Sequence, residues 1–158
     1  MVYLFACLIG VVAGLRAMTA PAAVAWAAHL GWLDLSSSWL AFLGSIWAVG
    51  ILTVLALVEF VTDQLPSTPS RKVPPQFGAR LFTGAVSGAA IGLHSGSWLA
   101  GLVAGLVGAV IGTLGGAAAR GWLAARFGRD LPAALIEDAV AVLLAYLIVS
   151  SLAAPVAV

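Results

Sequence analysis

The sequence predicts an all-α protein, a polytopic transmembrane helical bundle of about five spans whose first helix is broken. Apolar residues make up 63% of the 158 residues and charged residues only 8%, whereas a soluble domain carries about a quarter of its residues as charges. Several apolar runs approach or exceed the roughly 20 residues that a helix needs to cross a bilayer. Arg16 and Pro21 interrupt the first run, which predicts the break.

The length and composition predict a single transmembrane domain over residues 1–158. The net charge of +1 provides no basic surface for nucleic acid. The only cysteine, Cys7, excludes an internal disulfide and a cysteine-rich metal site. The opening apolar run has the length of a signal-peptide core, but no positive segment precedes it, so we interpret the run as retained in the protein.

Each span is bounded by residues that disfavour an apolar helix. Gly31 stops the first run, which is either one kinked span or a re-entrant hairpin around Arg16 and Pro21. Prolines between positions 66 and 75 separate the second run from the third and predict an irregular loop that lasts until about residue 80. The expected spans are residues 2–30, 39–63, 79–94, 98–126 and 131–153.

The cationic residues predict how these spans are oriented, because cytoplasmic loops carry an excess of Lys and Arg. With five spans, two loops that fall on the same side hold or flank six of the seven cationic residues: Arg71, Lys72, Arg80, Arg120, Arg126 and Arg129. We assign this side to the cytoplasm. The protein is therefore expected to be a multi-pass protein of the bacterial inner membrane with a cytoplasmic amino terminus.

Glycines recur at a spacing of four residues in the third and fourth spans. In lipid, small residues at this spacing let helix backbones approach closely. We interpret the rows as surfaces of tight helix packing, and the alternative is that they are sliding or gating surfaces. The rows are Gly84, Gly88 and Gly92, then Gly101 and Gly105, then Gly108, Gly112 and Gly116.

Two segments of the first and fourth spans resemble each other, Gly10-Val-Val-Ala-Gly14 and Gly108-Ala-Val-Ile-Gly112. Because five spans would make these two cross in opposite directions, the similarity predicts an inverted repeat, an arrangement common in transporters. The alternative is chance similarity between segments rich in Ala and Gly.

Four carboxylates are predicted to reach a similar depth at the cytoplasmic side, and they are the candidate metal-binding residues. Glu59 and Asp63 share one helix face at the end of the second span, and Glu137 and Asp138 lie one turn into the fifth. If the two helices adjoin, these charges need relief by shared protons, by a divalent cation such as Mg²⁺ or Ca²⁺, or by arginine.

The alternative for each pair of carboxylates is that it only caps or flanks a helix end and binds nothing. Glu137 and Asp138 follow Pro132 in the first turns of a helix, where negative charge suits the helix dipole. The same dipole disfavours Glu59 near the carboxyl end of its helix, so something must compensate its charge.

Arg16 lies about 15 residues into the first span, too deep for its side chain to reach the membrane surface easily. An unpaired arginine near mid-membrane costs at least ~2.5 kcal/mol, so we expect Arg16 to pair with a carboxylate, with carbonyls or with a water-filled cavity. A broken helix beside a buried charge is also typical of substrate sites in transporters. A structural ion pair in a kinked helix is the alternative.

These motifs together resemble a widespread family of small bacterial membrane proteins classed as a domain of unknown function. They are Gly14-Leu-Arg16 before Thr-x-Pro, Glu59-Phe-Val-Thr-Asp63 before Gln-Leu-Pro66, and Leu-Ile-Glu137-Asp138. The resemblance covers most of the chain and implies a polytopic membrane protein without an assigned activity. It also implies a lysine where this chain has Gln64, so a role of that lysine does not transfer.

The leading hypothesis is a small transporter or channel for a cation or small solute, formed by several copies of the chain within membrane lipid. Arg16 would act as counter-ion or anion ligand. The cation or proton would be bound by the four carboxylates, Glu59, Asp63, Glu137 and Asp138.

The alternative hypothesis is an intramembrane enzyme or flippase that acts on a lipid phosphate. The carboxylates would then hold a divalent cation, and the phosphate would be held by Arg71, Lys72 and Arg80. A structural subunit without chemistry is the third hypothesis.

Overall fold

A computed structural model describes residues 1–64 and 70–153. These residues form six α-helices and one short 3-10 helix, and no strand is present among them. The all-α class and the broken first helix are therefore confirmed. The α-helices are α1 (Val2–Leu15), α2 (Thr19–His29), α3 (Ile46–Thr62), α4 (Pro74–Leu93), α5 (Trp98–Phe127) and α6 (Asp130–Ala153), and the 3-10 helix is Ala41–Gly44.

Local capping explains several of these boundaries. The Ser45 hydroxyl accepts a hydrogen bond from the Ala48 N–H at 3.1 Å and so begins α3. Gly128 ends α5 in the left-handed conformation, at φ 64°. The loop expected to last until residue 80 is shorter, since Pro74 and Pro75 form the first turn of α4, where a missing N–H costs nothing. The expected loop at residues 66–69 lies outside the described residues.

The glycine rows join α4 to α5 and confirm the interpretation as packing surfaces. A Cβ added at Gly92 would lie 2.6 Å from the Ser97 carbonyl oxygen, and one added at Gly88 would lie 2.7 Å from the Gly105 Cα. Real side chains do not tolerate such distances, so the two backbones are in direct contact. Because residue numbers rise along α5 as they fall along α4 in this contact, the two helices are antiparallel.

The row at Gly108, Gly112 and Gly116 packs against α1. Gly108 meets the Cys7 carbonyl and Gly112 meets the Val11 carbonyl. Both residue numbers rise together, so α1 runs parallel to α5. The expectation that these two segments cross in opposite directions, on which the inverted repeat depended, is therefore wrong.

Helix α2 returns antiparallel to α1, so the two form a hairpin with its tip at residues 16–18. The Trp26 Nε1 donates to the Thr53 hydroxyl at 3.0 Å, and His29 Nδ1 lies 3.0 Å from the Gly44 carbonyl oxygen. These contacts place the end of α2 beside the start of α3. Of the two forms left open by the sequence, the first segment adopts the hairpin.

The two ends of the bundle differ in composition. At one end, which we call the tryptophan end, the rings of Trp39 and Trp98 form an edge-to-face contact with centroids 6.4 Å apart. The opposite end, which we call the arginine end, contains the hairpin tip, the end of α3 and the start of α6. Because α1 parallels α5, which starts at Trp98, the amino terminus lies toward the tryptophan end.

Among the described residues, two helices are long and apolar enough to cross a membrane, α5 and α6. Only 33% and 39% of their most apolar windows are buried, so most of these apolar residues face outward rather than into a core. Helices α1 and α3 are apolar but shorter. Together with the composition, this outward apolar surface indicates a membrane protein.

Candidate functional site

Arg16 lies at the hairpin tip and is completely buried. It ends α1 in an extended conformation, φ −140° and ψ 112°, which turns its side chain away from the helix axis. Its Nη1 donates to Asp63 at the end of α3, and its Nε donates to Asp138 near the start of α6. The expectation that Arg16 is paired is confirmed, and its partners come from two other helices.

Glu59 is held by the backbone of the same tip. Its Oε1 accepts the Ala17 N–H at 2.7 Å, and its Oε2 accepts the Met18 N–H at 2.8 Å. Ala17 and Met18 directly precede Thr19, the first residue of α2, and the amino end of a helix carries a partial positive charge. The Arg80 Nη2 lies a further 3.6 Å from Oε1. The charge compensation that the sequence required for Glu59 therefore comes from α2 and Arg80.

Arg80 joins α4 to the tip. Its Nη1 donates to the carbonyls of Gly14 and Leu15, at 3.2 and 2.8 Å, where α1 ends. These carbonyls are among the last of the helix and lack intrahelical partners. Its Nη2 lies 3.4 Å from the Asp63 Oδ2. Arg80 thus satisfies the end of α1 and pairs with α3 from a position that is only 1% exposed.

Glu137 forms the centre of a second group of pairs. Both of its oxygens accept from Arg71, one of them at 2.7 Å, while Arg120 Nη1 lies 3.5 Å and Arg16 Nη2 3.7 Å from Oε2. A Cβ at Gly116 would lie 3.0 Å from the Glu137 Oε1, so this glycine leaves the space that the carboxylate occupies.

Nine charged side chains thus form one network at the arginine end, which we call the tip cluster. All but Asp130 have side chains that are at most 15% exposed. Five carboxylates face four guanidiniums. The members are Arg16, Glu59, Asp63, Arg71, Arg80, Arg120, Asp130, Glu137 and Asp138.

The structure brings the four sequence-predicted carboxylates together and relieves their repulsion with arginine, one of the three expected remedies. Among residues 1–64 and 70–153, no group of three or more His, Cys, Asp or Glu side chains is arranged to hold a metal ion. Of the residues proposed for a phosphate, Arg71 and Arg80 are engaged by carboxylates and carbonyls, while Lys72 is exposed. Lys72 forms no ion pair within the described part of the chain.

Several participants in the tip cluster were not predicted from the sequence. Arg120 donates two hydrogen bonds to the Asp130 carboxylate, from Nε at 3.0 Å and from Nη2 at 2.6 Å, and Nη2 also donates to the Asp63 carbonyl oxygen at 3.1 Å. Its position was detectable, because it continues the four-residue spacing of Gly116 on the face of α5 that meets α1. Gln64 Nε2 lies 3.4 Å from the Asp138 Oδ2, so an amide occupies the place where the family resemblance implies a lysine.

The remaining acid, Asp34, lies at the tryptophan end, far from the tip cluster. Its Oδ1 accepts hydrogen bonds from the Ser36 hydroxyl at 2.6 Å and from the Ser36 N–H at 2.9 Å. These bonds favour the charged form and lower the pKa of Asp34 below its usual value. Asp34 forms a local turn in the loop that follows α2.

The chain belongs to a family described as "Domain of unknown function (DUF4126)", whose model matches residues 4–158. The resemblance inferred from the motifs around Arg16, Glu59 and Glu137 is confirmed. No curated protein and no solved structure matches the chain. The family contributes no activity, so function has to be inferred from the geometry of the tip cluster.

Proposed function

We propose that this chain is a small transport protein of the bacterial inner membrane that moves a cation or small solute and uses the tip cluster as its ion-binding element. The observation that carries the proposal is the completely buried Arg16 at the tip of a helix hairpin, held by carboxylates from two other helices. Buried charges in a membrane protein are costly and mark ion or substrate pathways. Broken helices whose ends face charged groups are typical of transporter binding sites.

The charge balance of the tip cluster supports uptake of one positive charge. Five carboxylates against four guanidiniums leave one negative charge without a counter-charge when all groups are ionised. Water screens part of this charge at Asp130, whose side chain is 58% exposed, and the remainder favours binding of a proton or a monovalent cation. A proton is the simplest coupling ion, since it needs no coordination shell.

The orientation follows from the number of arginines at the arginine end, since the rule counts Lys and Arg residues and not net charge. We infer that the arginine end faces the cytoplasm. Because α1 and α2 form a hairpin and not one crossing, the amino terminus then lies on the outer side. This is the reverse of the orientation expected from five consecutive spans.

Labelling of single cysteines tests this orientation. In a Cys7→Ser background, Val2→Cys and Ser37→Cys are expected to react with a membrane-impermeant maleimide added to intact spheroplasts. Ser70→Cys is expected to react only after permeabilisation. Ser95→Cys, in the turn between α4 and α5, is the matched control for the outer side. If Val2→Cys, like Ser70→Cys, reacted only after permeabilisation, the hairpin topology in the membrane would be contradicted.

Purified protein in proteoliposomes tests the transport function. With a pH-sensitive dye inside the vesicles and an outside buffer more acidic than the lumen, we expect saturable acidification of the lumen that depends on the protein. Glu59→Gln should reduce the rate at least about tenfold, because the proposed coupling carboxylate no longer ionises. Asp34→Asn is the matched control, an acid outside the cluster, and should leave the rate unchanged.

Parallel arms replace the proton gradient with gradients of Na⁺, K⁺ or Mg²⁺ and use the same two variants. A flux carried by one of these ions and lost in Glu59→Gln would identify a different coupling ion at the same site. The absence of any flux that depends on Glu59 would overturn the transport proposal.

A further inference from the structure

The amino end of α2 is an anion-binding site that the chain fills with its own carboxylate. The N–H groups of Ala17 and Met18 each donate to one oxygen of Glu59. Helix amino ends bind free carboxylates and phosphates with this same geometry. Glu59 reaches the site from another helix, 42 and 41 residues further along the chain, so the carboxylate that fills the site comes from a side chain of α3.

Buried polar groups that form no hydrogen bond within the described residues occur in residues of the tip and in Arg80. Three such groups belong to the tip or contact Glu59: Arg16 Nη2, Thr19 Oγ1 and Arg80 Nε. The residues are 0%, 6% and 1% exposed, and the Arg80 guanidinium lies beside the Glu59 carboxylate. Buried polar groups are nearly always hydrogen-bonded in folded proteins. Arg16 Nη2 lies 3.7 Å from the Glu137 Oε2, so Thr19 Oγ1 and Arg80 Nε are the groups to which a ligand with acceptor oxygens would give a partner.

An apolar cavity of about 620 Å³ extends away from the same place, between α2, α3 and α4. Met18, whose N–H holds Glu59, lines it together with Pro21 from α2. Leu55 and Thr83 also line it, and they lie one helical turn from Glu59 and Arg80 respectively. A ligand whose oxygens replace the Glu59 carboxylate would thus place its remaining atoms in an apolar space.

We propose that a small monocarboxylic acid with an apolar tail binds at the amino end of α2 in place of the Glu59 side chain, and that it is the solute which the transporter moves together with a proton. This inference rests on the proposed transport function. Protonation of Glu59 removes its charge and releases the N–H groups of Ala17 and Met18. The solute carboxylate then accepts those hydrogen bonds, and its tail enters the cavity.

The exchange keeps the charge of the tip cluster constant, because one proton and one carboxylate enter together. This matters because Glu59 belongs to the tip cluster, whose other members are all charged. They are Arg16 at the tip, Asp63 on α3, Arg71 before α4, Arg80 on α4, Arg120 on α5, and Asp130, Glu137 and Asp138 on α6. Binding of an anion without the proton would add repulsion from these carboxylates.

Chemical rescue of Glu59→Ala in lipid nanodiscs tests the site without any flux measurement. Acetate should raise the thermal unfolding midpoint of this variant in a saturable manner, because it restores the missing carboxylate. Asp63→Ala is the matched control, since it removes a carboxylate one turn later that faces guanidiniums and no pair of backbone N–H groups. Acetate should raise its midpoint much less. Equal effects on both variants, or equal effects of chloride and acetate, would overturn the proposal.

The parent protein provides the second measurement, which is independent of whether Glu59→Ala folds. Its half-saturating acetate concentration should fall about tenfold for each unit of pH decrease above the pKa of acetic acid, because one proton is taken up with each anion. In Glu59→Gln this pH dependence should be lost. Acetate binding to the parent that does not change with pH would contradict the exchange with Glu59.

A series of ligands tests the class of solute. From acetate to butyrate and hexanoate, the half-saturating concentration should fall by about fourfold per methylene buried in the cavity. Butanol should not stabilise, since it lacks the carboxylate. Stabilisation by inorganic phosphate but not by acetate would overturn the carboxylate class. Carboxylate binding without flux in vesicles would support the binding site and refute the transport function. Flux without carboxylate binding would support the transport function and refute the binding site.

Discussion

Replacing Arg16 by methionine is expected to destabilise the protein by about 3–5 kcal/mol, the usual cost of removing one partner of a buried ion pair. Methionine fills a similar volume, so the loss arises chiefly from charge. Asp63 and Asp138 would lose their hydrogen-bond donor inside the bundle, and Glu137 would lose the guanidinium 3.7 Å away. The free energy of unfolding in mixed micelles, or the thermal midpoint in nanodiscs, measures this effect.

Two further variants separate the ion pair from a general effect of losing arginine. Arg16→Lys retains the charge but cannot donate to Asp63 and Asp138 together in the geometry of the guanidinium fork, so its loss should be smaller but clear. Arg126→Met removes an exposed arginine that stacks on Trp122, 5.0 Å from the ring centroid, and should change stability by less than about 1 kcal/mol. A stable Arg16→Met variant would show that the tip does not depend on Arg16.

Adding a single methyl group at Gly105 is expected to separate α4 from α5. The Cβ of Gly105→Ala would overlap the Gly84 carbonyl oxygen and lie 2.9 Å from the Gly88 Cα. Both obstacles are backbone atoms, so no side chain can rotate away. The expected loss is about 1–3 kcal/mol or more, typical of overpacking in a dense interior.

Gly115→Ala is the matched control on the same helix, because nothing lies within 4 Å of the added Cβ. Alanine favours a helix over glycine by up to about 1 kcal/mol, so this variant should be neutral or more stable than the parent. The two variants therefore have opposite expected signs in one unfolding experiment. Equal effects would mean that the α4–α5 contact is looser than the glycine rows indicate.

The sequence predicts the helices well because hydropathy and length dominate their formation in lipid. It also predicts which carboxylates meet, since Glu59 and Asp63 share a helix face and Glu137 and Asp138 end at the same side. The pairing of Arg16 follows from the cost of a buried charge alone. Physical arguments about single residues thus reach most of the tip cluster without any knowledge of the fold.

The direction of α1 could not be predicted in the same way. Arg16 and Pro21 predict a break in the first helix, but the chain reverses at residues 16–18, which contain neither glycine nor proline. Pro21 lies in the first turn of α2, where it fits a helix without strain. The reversal depends on contacts with Glu59, Asp63 and Asp138, which are far away in the sequence, so no local signal encodes it.

The hairpin also has a consequence for the order in which the molecule is made. Arg16 is synthesised 47 residues before Asp63 and 122 residues before Asp138. At about 5–20 residues per second, the second partner follows roughly 6 to 24 seconds later. Until Asp63 is made, α1 and α2 carry a cation that has no native counter-charge, and until Asp138 is made Arg16 lacks its second partner. The native set of contacts around the hairpin tip is therefore complete only after the start of α6 has been synthesised.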